Sequence, residues 1–225
     1  MTKRRWSLQR AAGWLAVLCL AMIVLMLGQP SFSNASRPQR GIDDPVLALQ
    51  MAMDLSDIDA ILSDAPSPDR ETMRLKQYLD FGFIACYLGL YLVLSALLAR
   101  GVAWGRAPAI AAAVCGVAAA AFDVTENLAI LRICAIPLSQ TTQAMVDFIR
   151  LVSLAKWALA FAAIALLTSY FFGSRRWTGR AVGAVNVVTV VIGFYGLYDH
   201  RFLAYAGIPM VVGLVGIAAL FFRVG

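Results

Sequence analysis

Histidine occurs once in this chain, cysteine four times, and charged residues make up only 14% of its 225 positions. Each scarcity removes a class of protein. A soluble domain carries about a quarter charged and about half apolar residues. Here 61% are hydrophobic, which excludes an ordinary cytosolic enzyme and a disordered chain alike. Cys19, Cys86, Cys115 and Cys134 all lie in apolar runs and form no CxxC. They read as small buried hydrophobes, with neither a disulfide framework nor a zinc or iron–sulfur site expected. The chain also lacks GxSxG, HExxH, P-loop and Rossmann glycine motifs. No catalytic residue, cofactor or metal is therefore assigned, although a carboxylate-plus-lysine mechanism stays open.

What the chain has is long hydrophobic runs. A spanning helix needs about 20 mostly apolar residues, and six stretches approach this, at about 11–29, 79–99, 107–131, 143–172, 183–198 and 203–222. The fold class expected is an all-α, polytopic transmembrane helix bundle of six spans. The net charge of +6 is not a nucleic-acid footprint, because the cations are placed by side. Lys3, Arg4, Arg5 and Arg10 precede the first run, Arg100 and Arg106 separate the second from the third, Arg175, Arg176 and Arg180 follow the fourth, and Arg223 follows the last. The opposite loops hold Arg132 and Arg201, with Arg150 nearby. The positive-inside rule then puts both termini in the cytoplasm. The first run also has the basic start and the Ser33-Asn34-Ala35 ending of a cleavable signal peptide, but its apolar length favours a retained anchor.

Three divisions follow: a first span over 1–29, an acidic extracytoplasmic segment over 30–78, and a five-helix bundle over 79–225. The segment begins with a linker around Pro30 and Arg37-Pro38. Asp44-Pro45 starts a short amphipathic helix with Leu47, Met51 and Leu55 on one stripe, and Ser56 is the expected cap of the next. Ser67-Pro68-Asp69-Arg70-Glu71 is the clearest helix start, and it predicts one continuous helix over 68–99. Between Asp43 and Glu71 lie eight acids and one base, Arg70. The segment reads as a solvated cover lying on the outer membrane surface or the helix ends; the sharper alternative is docking of a membrane-complex partner through residues 43–71.

The third run carries Asp123, Glu126 and Asn127 on one helical face. Each ionised group at the centre of a lone span costs about 2.5–3.5 kcal/mol on an insertion scale, so partners are required. Asp147, Arg150, Ser153 and Lys156 in the fourth run supply candidates, with Asp80 at the head of the second. At 1.5 Å of rise per residue, Glu126 and Asp123 lie roughly 12 and 16 Å below the outer end of their helix. Arg150 and Lys156 lie roughly 10 and 20 Å below theirs. Depth therefore pairs Glu126 with Arg150 and Asp123 with Lys156, with Asn127 completing the hydrogen bonds. Asp80, Asp123, Glu126, Asn127, Arg150 and Lys156 are the candidate ligand or proton site.

Lesser features have simpler expectations. His200 reads as an interfacial residue beside an aromatic belt, with an axial ligand to a haem or chlorin as the alternative. Asn186, Thr189, Gly193 and Gly196 form a small-residue seam, Pro209 is expected to kink the last span, and the tyrosines and tryptophans, Tyr87 and Trp157 among them, anchor interfaces. The stretch Gly173–Arg180 reads as a loop touching anionic lipid.

The run Leu79-Asp80-Phe81-Gly82-Phe83, then Asp123-x-x-Glu126-Asn127, then Leu154-Ala155-Lys156-Trp157 resembles a pattern in small bacterial integral membrane proteins of uncharacterised function, over about residues 55–170. The resemblance carries no activity. It implies that these polar positions belong to one arrangement, in a multi-pass protein of the bacterial cytoplasmic (inner) membrane. Two functions compete: an accessory subunit or lipid- or small-molecule-binding membrane protein, and a proton-coupled carrier or small intramembrane enzyme. The absence of an inverted repeat weighs against the carrier.

Overall fold

The computed structural model describes residues 2–34 and 39–222, with side chains from residue 7 onward. Ala35, Arg37-Pro38 and Arg223 lie outside the described residues, as do the side chains of Lys3, Arg4 and Arg5. The chain is all-α. Its helices are α1 (Thr2–Leu27), α2 (Pro45–Gln50), α3 (Leu55–Leu62), α4 (Pro68–Gly101), α5 (Arg106–Ala135), α6 (Gln143–Phe172), α7 (Trp177–Tyr198) and α8 (Gly207–Phe222). Six are long and apolar enough to cross a membrane, the last counting the 3₁₀ segment His200–Ala206 that leads into α8. Helices are what a lipid environment permits, since each closes its own backbone hydrogen bonds.

The six spans pack in chain order. α1 lies on α4, α4 on α5, α5 on α6, α6 on α7 and α7 on α8, and α8 returns to α1, while α4 also touches α6 across the interior. The result is a closed ring with an inside. Its outer wall is apolar, with Trp14, Val114, Leu151, Val191 and Ile208 all exposed.

Local sequence sets the helix starts at one end of this ring. Asp44 accepts from the Leu47 amide at 2.8 Å with Pro45 in the first turn, and Ser67 accepts from the Arg70 amide at 3.2 Å ahead of Pro68. The continuous helix predicted over 68–99 is present and runs to Gly101. The cap of α3 differs from expectation. Asp54 accepts from the Asp57 amide at 3.1 Å, and Ser56 donates to the Asp54 carboxylate instead of capping. A carboxylate two residues earlier meets the exposed amides with full charge, so it outcompetes the hydroxyl.

α2 and α3 cover one end of the ring with their apolar sides packed onto it. Leu49, Met51, Ile58 and Leu62 are almost fully buried together with Met73, Ile130 and Ile133 of the spans. Burial of such side chains contributes about 1.5–3 kcal/mol each. Two acids of this segment, Asp57 and Asp69, are buried, and others are bonded at the surface. Asp69 accepts from the Ser33 amide, Asp57 from Arg40 and the Met53 amide, and Asp64 from the Leu138 amide at 2.8 Å. Arg70, only 1% exposed, donates Nη1 to the carbonyls of Ile133 and Ile136 at 2.6 Å each. A guanidinium thus closes the carbonyl end of α5, where the helix dipole favours a cation.

Two further expectations change. Pro209 sits in the first turn of α8, where the 3₁₀ segment His200–Ala206 passes into the α-helix, so it falls at a change of helix type and not in the middle of an α-helix. α7 already begins at Trp177, so Arg180 lies on a helix and only the residues before Trp177 form the connection.

Acid should loosen this capped end first. The Ser56 hydroxyl, the Asp57 amide and Arg40 hold the Asp54 carboxyl below its usual value of 3.8, and the Leu138 and Ala65 amides do the same for Asp64. Depressed folded values mean that the stabilisation is complete above the unfolded value and disappears as pH falls through it toward the folded one. Hydrogen exchange corrected for its intrinsic pH dependence should rise in residues 45–62 relative to the spans between about pH 5 and pH 3. An unchanged ratio would contradict these contacts.

Candidate functional site

The polar residues of α4, α5 and α6 meet inside the ring near its capped end. Asp123 and Glu126 are three residues apart on α5 and so point the same way. Lys156 of α6 lies between them, its Nζ 2.7 Å from Asp123 Oδ1 and 2.7 Å from Glu126 Oε1. Tyr87 of α4 donates its hydroxyl to Asp123 Oδ2 at 3.0 Å, and Asn127 donates Nδ2 to Asp80 Oδ2 at 2.7 Å. Glu126 and Asn127 are at most 1% exposed; Asp80 is half-buried.

The expected pairing of Asp123 with Lys156 is present, but that of Glu126 with Arg150 is not. One ammonium holds both carboxylates, and the buried Arg150 Nε has no hydrogen-bond partner. Depth was matched and azimuth was not. Six residues along a helix turn the side chain by about 600°, so Arg150 points roughly 120° away from Lys156 around α6. Both cannot face α5. Asp147 does not serve as a partner, being exposed and bonded by Gln143 at 2.9 Å. Ser153 is within reach of Glu126, and its hydroxyl also lies 2.7 Å from Ile149 O on its own helix. His200 lies apart from the cluster, with Nδ1 3.3 Å from the Gly196 carbonyl. Among the described residues, no three of His, Cys, Asp and Glu are placed to hold a metal ion.

Three members of the cluster were not foreseen. Gln50, the last residue of α2, donates Nε2 to Glu126 Oε1 at 2.8 Å and accepts from Trp157 Nε1 at 3.1 Å. Its signal was a single amide three residues after Leu47, on the buried stripe. Tyr87 and Trp157 were read as interfacial anchors. Tyr87 lies seven residues after Asp80 and shares its face of α4, and Trp157 stacks on Phe161 at 5.6 Å with the Lys156 ammonium 5.4 Å from its ring. Both tips are turned inward because buried N–H and O–H groups require acceptors.

The cluster forms one end of a cavity of about 170 Å³ to which all six spans contribute. Asp80, Asp123, Lys156 and Gln50 stand on its wall; Leu94, Leu167 and Ile217 line it farther along the spans. An apolar cavity of about 150 Å³ stays dry and takes a hydrocarbon guest. This one is long, apolar and polar at one end. The chain matches no protein-family model, no curated protein and no solved structure, so the geometry itself carries the functional reading.

The shared ammonium makes the single substitutions unequal. Lys156→Met leaves Asp123 and Glu126 facing each other without a cation, a loss of about 3–5 kcal/mol typical of breaking a buried pair. Asp123→Asn leaves Lys156 held by Glu126 and should cost less, about 1.5–3 kcal/mol for a charged hydrogen bond. Thermal and denaturant unfolding in detergent measures both, and Asp123→Asn combined with Lys156→Met should lose less than the sum. Equal single losses that add without coupling would show that Lys156 does not join the two carboxylates.

Proposed function

We propose that this protein is a multi-pass protein of the bacterial cytoplasmic membrane that takes up a single-chain amphiphile inside its helix ring. The ligand's polar head rests at Asp80, Asp123 and Lys156, and its chain follows the apolar wall. The observation that carries this reading is the cavity itself: about 170 Å³ inside the bundle, with charged groups at one end and a mostly apolar wall that Asn186 and Thr189 of α7 interrupt. Small-molecule sites have this composition, mostly apolar with a few convergent polar groups that fix orientation.

The cation distribution supports a cytoplasmic position for both termini and for the connections holding Arg100, Arg106, Arg175 and Arg176. The head-group end, covered by α2 and α3, then faces the outside. Uptake from the outer leaflet or the aqueous phase follows from that placement. The acids between Asp43 and Glu71 support this reading over docking of a complex partner, because several already serve internal hydrogen bonds.

Gentle extraction into nanodiscs followed by mass spectrometry of the bound material tests the proposal. Wild-type protein should retain one single-chain amphiphile per chain. Ala160→Phe, which projects a ring into the cavity wall, should reduce that amount at least fivefold while the helical content is kept. Recovery of no amphiphile, or of equal amounts from both proteins, would overturn the reading. A stoichiometric protein partner in place of a lipid would favour the accessory-subunit function.

A further inference from the structure

The hydrogen-bond balance of the cluster names the chemistry of the head group. Asp80, Asp123 and Glu126 bring three carboxylates together, and among the described residues Lys156 is the only cation bonded to any of them. The remaining donors, Tyr87, Gln50 and Asn127, are neutral. Fully ionised, the cluster therefore carries an excess of two negative charges, in a setting where intramembrane acids need partners.

The deficit can be placed on atoms. Both oxygens of Asp123, Glu126 Oε1 and Asp80 Oδ2 accept hydrogen bonds. Glu126 Oε2 is buried with no partner on a residue 0% exposed, and Asp80 Oδ1 has no hydrogen bond among the described residues. A carboxylate accepts on both oxygens and donates nothing. The site thus lacks donors and positive charge, not acceptors.

Asp80 is the place where the deficit can be met from outside the protein. It lines the inner cavity and also a second one of about 320 Å³, which extends past Gln50 and Trp157 to Met26 and Gly207. Lys76 also stands on that second cavity, with part of its donor capacity turned away from Asp80. Its Nζ donates to the Met26 carbonyl at 2.8 Å and lies 5.8 Å from the Phe32 ring. A ligand carboxylate or phosphate placed against Asp80 would meet repulsion. A hydroxyl offers one hydrogen and no charge. A primary ammonium offers three N–H groups and a full positive charge, and charge-assisted bonds are about twice as strong as neutral ones.

We infer that the amphiphile bound by this protein is a long-chain amine, whose primary ammonium donates to Asp80 Oδ1 while its chain lies in the inner cavity. This rests on the amphiphile-binding reading and adds the sign and hydrogen-bonding character of the head. Asp80 determines specificity, and Gln50 and Trp157 form the partition beneath which the head sits.

Photolabelling of the full chain in zwitterionic nanodiscs tests it, with three probes sharing one diazirine-bearing dodecyl chain: an amine, an alcohol and a carboxylate. Labelling of cavity peptides is normalised to labelling of lipid-facing surfaces such as Val114 and Val191, which removes differences in membrane partitioning. The amine should exceed the carboxylate at least tenfold and the alcohol at least threefold. Asp80→Asn, which breaks no ion pair, should bring amine and alcohol to parity, and Asp80→Ser serves should the first variant fail to fold. Equal labelling by all three probes, or a preference for the carboxylate, overturns the amine head while leaving the amphiphile reading intact. Cavity labelling by none of them overturns both. A wild-type preference for the amine that survives both Asp80 variants overturns the role given to Asp80.

Discussion

One ammonium ion holds the interior of this bundle together. Lys156 Nζ reaches Asp123 and Glu126 at the same 2.7 Å, and through those two carboxylates it engages Tyr87 and Gln50. Tyr87 ties α4 to Asp123, and Gln50 ties α2 to Glu126. Helices in lipid gain little from burying apolar surface against one another, because lipid tails are equally apolar. A directed contact therefore decides which helices are neighbours. Here the shared ammonium fixes α6 against α5, and the hydroxyl of Tyr87 brings α4 across to the same point, which accounts for the contact of α4 with α6 inside the ring.

The same interaction explains why the short helices belong to the fold. α2 has six residues and would be marginal alone, since isolated helices below about 12–15 residues rarely persist in water. Its Asp44 cap and Pro45 start give it a beginning, and its buried leucines give it adhesion. Gln50 then gives it a fixed rotation, because its amide must bridge Glu126 on one side and the Trp157 indole on the other. A buried polar network is stable only when each group is served. The covering segment is for that reason part of the site and not an appendage to it.

The sequence made the spans legible because hydrophobic length and cation side are one-dimensional signals. The start of α4 was legible for a similar reason: Ser67, Pro68, Asp69 and Glu71 each act within one turn of chain. Depth along a helix was legible too, and it brought Lys156 to Asp123. Rotation about the helix is a separate matter, and it turns Arg150 roughly 120° away from the Lys156 face that meets α5. Gln50 could have been found as a lone amide on an apolar stripe. Its target on α5 could not, because 76 residues separate them and only the packed bundle joins them. The cap of Arg70 on the carbonyl end of α5 is of the same kind. The cavity left no signature in any single helix, since it is a property of six helices at once.

Glycine placement accounts for that cavity remaining unfilled. The Phe161 ring lies directly over Gly193 of α7, where any side chain would collide with it. A Cβ on Gly116 would fall 2.9 Å from Tyr91 Cδ2, and one on Gly196 would fall 2.7 Å from the Leu203 Cα. Each glycine is a notch that receives a group from a neighbouring helix. Phe161 is buried in this way and absent from the cavity wall, and Tyr91 reaches the wall while its ring edge is drawn toward α5. Had these notches been closed by alanine, the rings would have been displaced, and the interior is the only space within the ring that could receive them. Packing with larger residues on α7 would thus favour a filled, purely structural core. The observed pattern instead draws the Phe161 ring to a helix interface and leaves a mostly apolar space, walled in part by Phe83, Tyr91 and Phe171, beside a cluster of buried charge, which is a costly arrangement for a bundle whose interior had only to be stable.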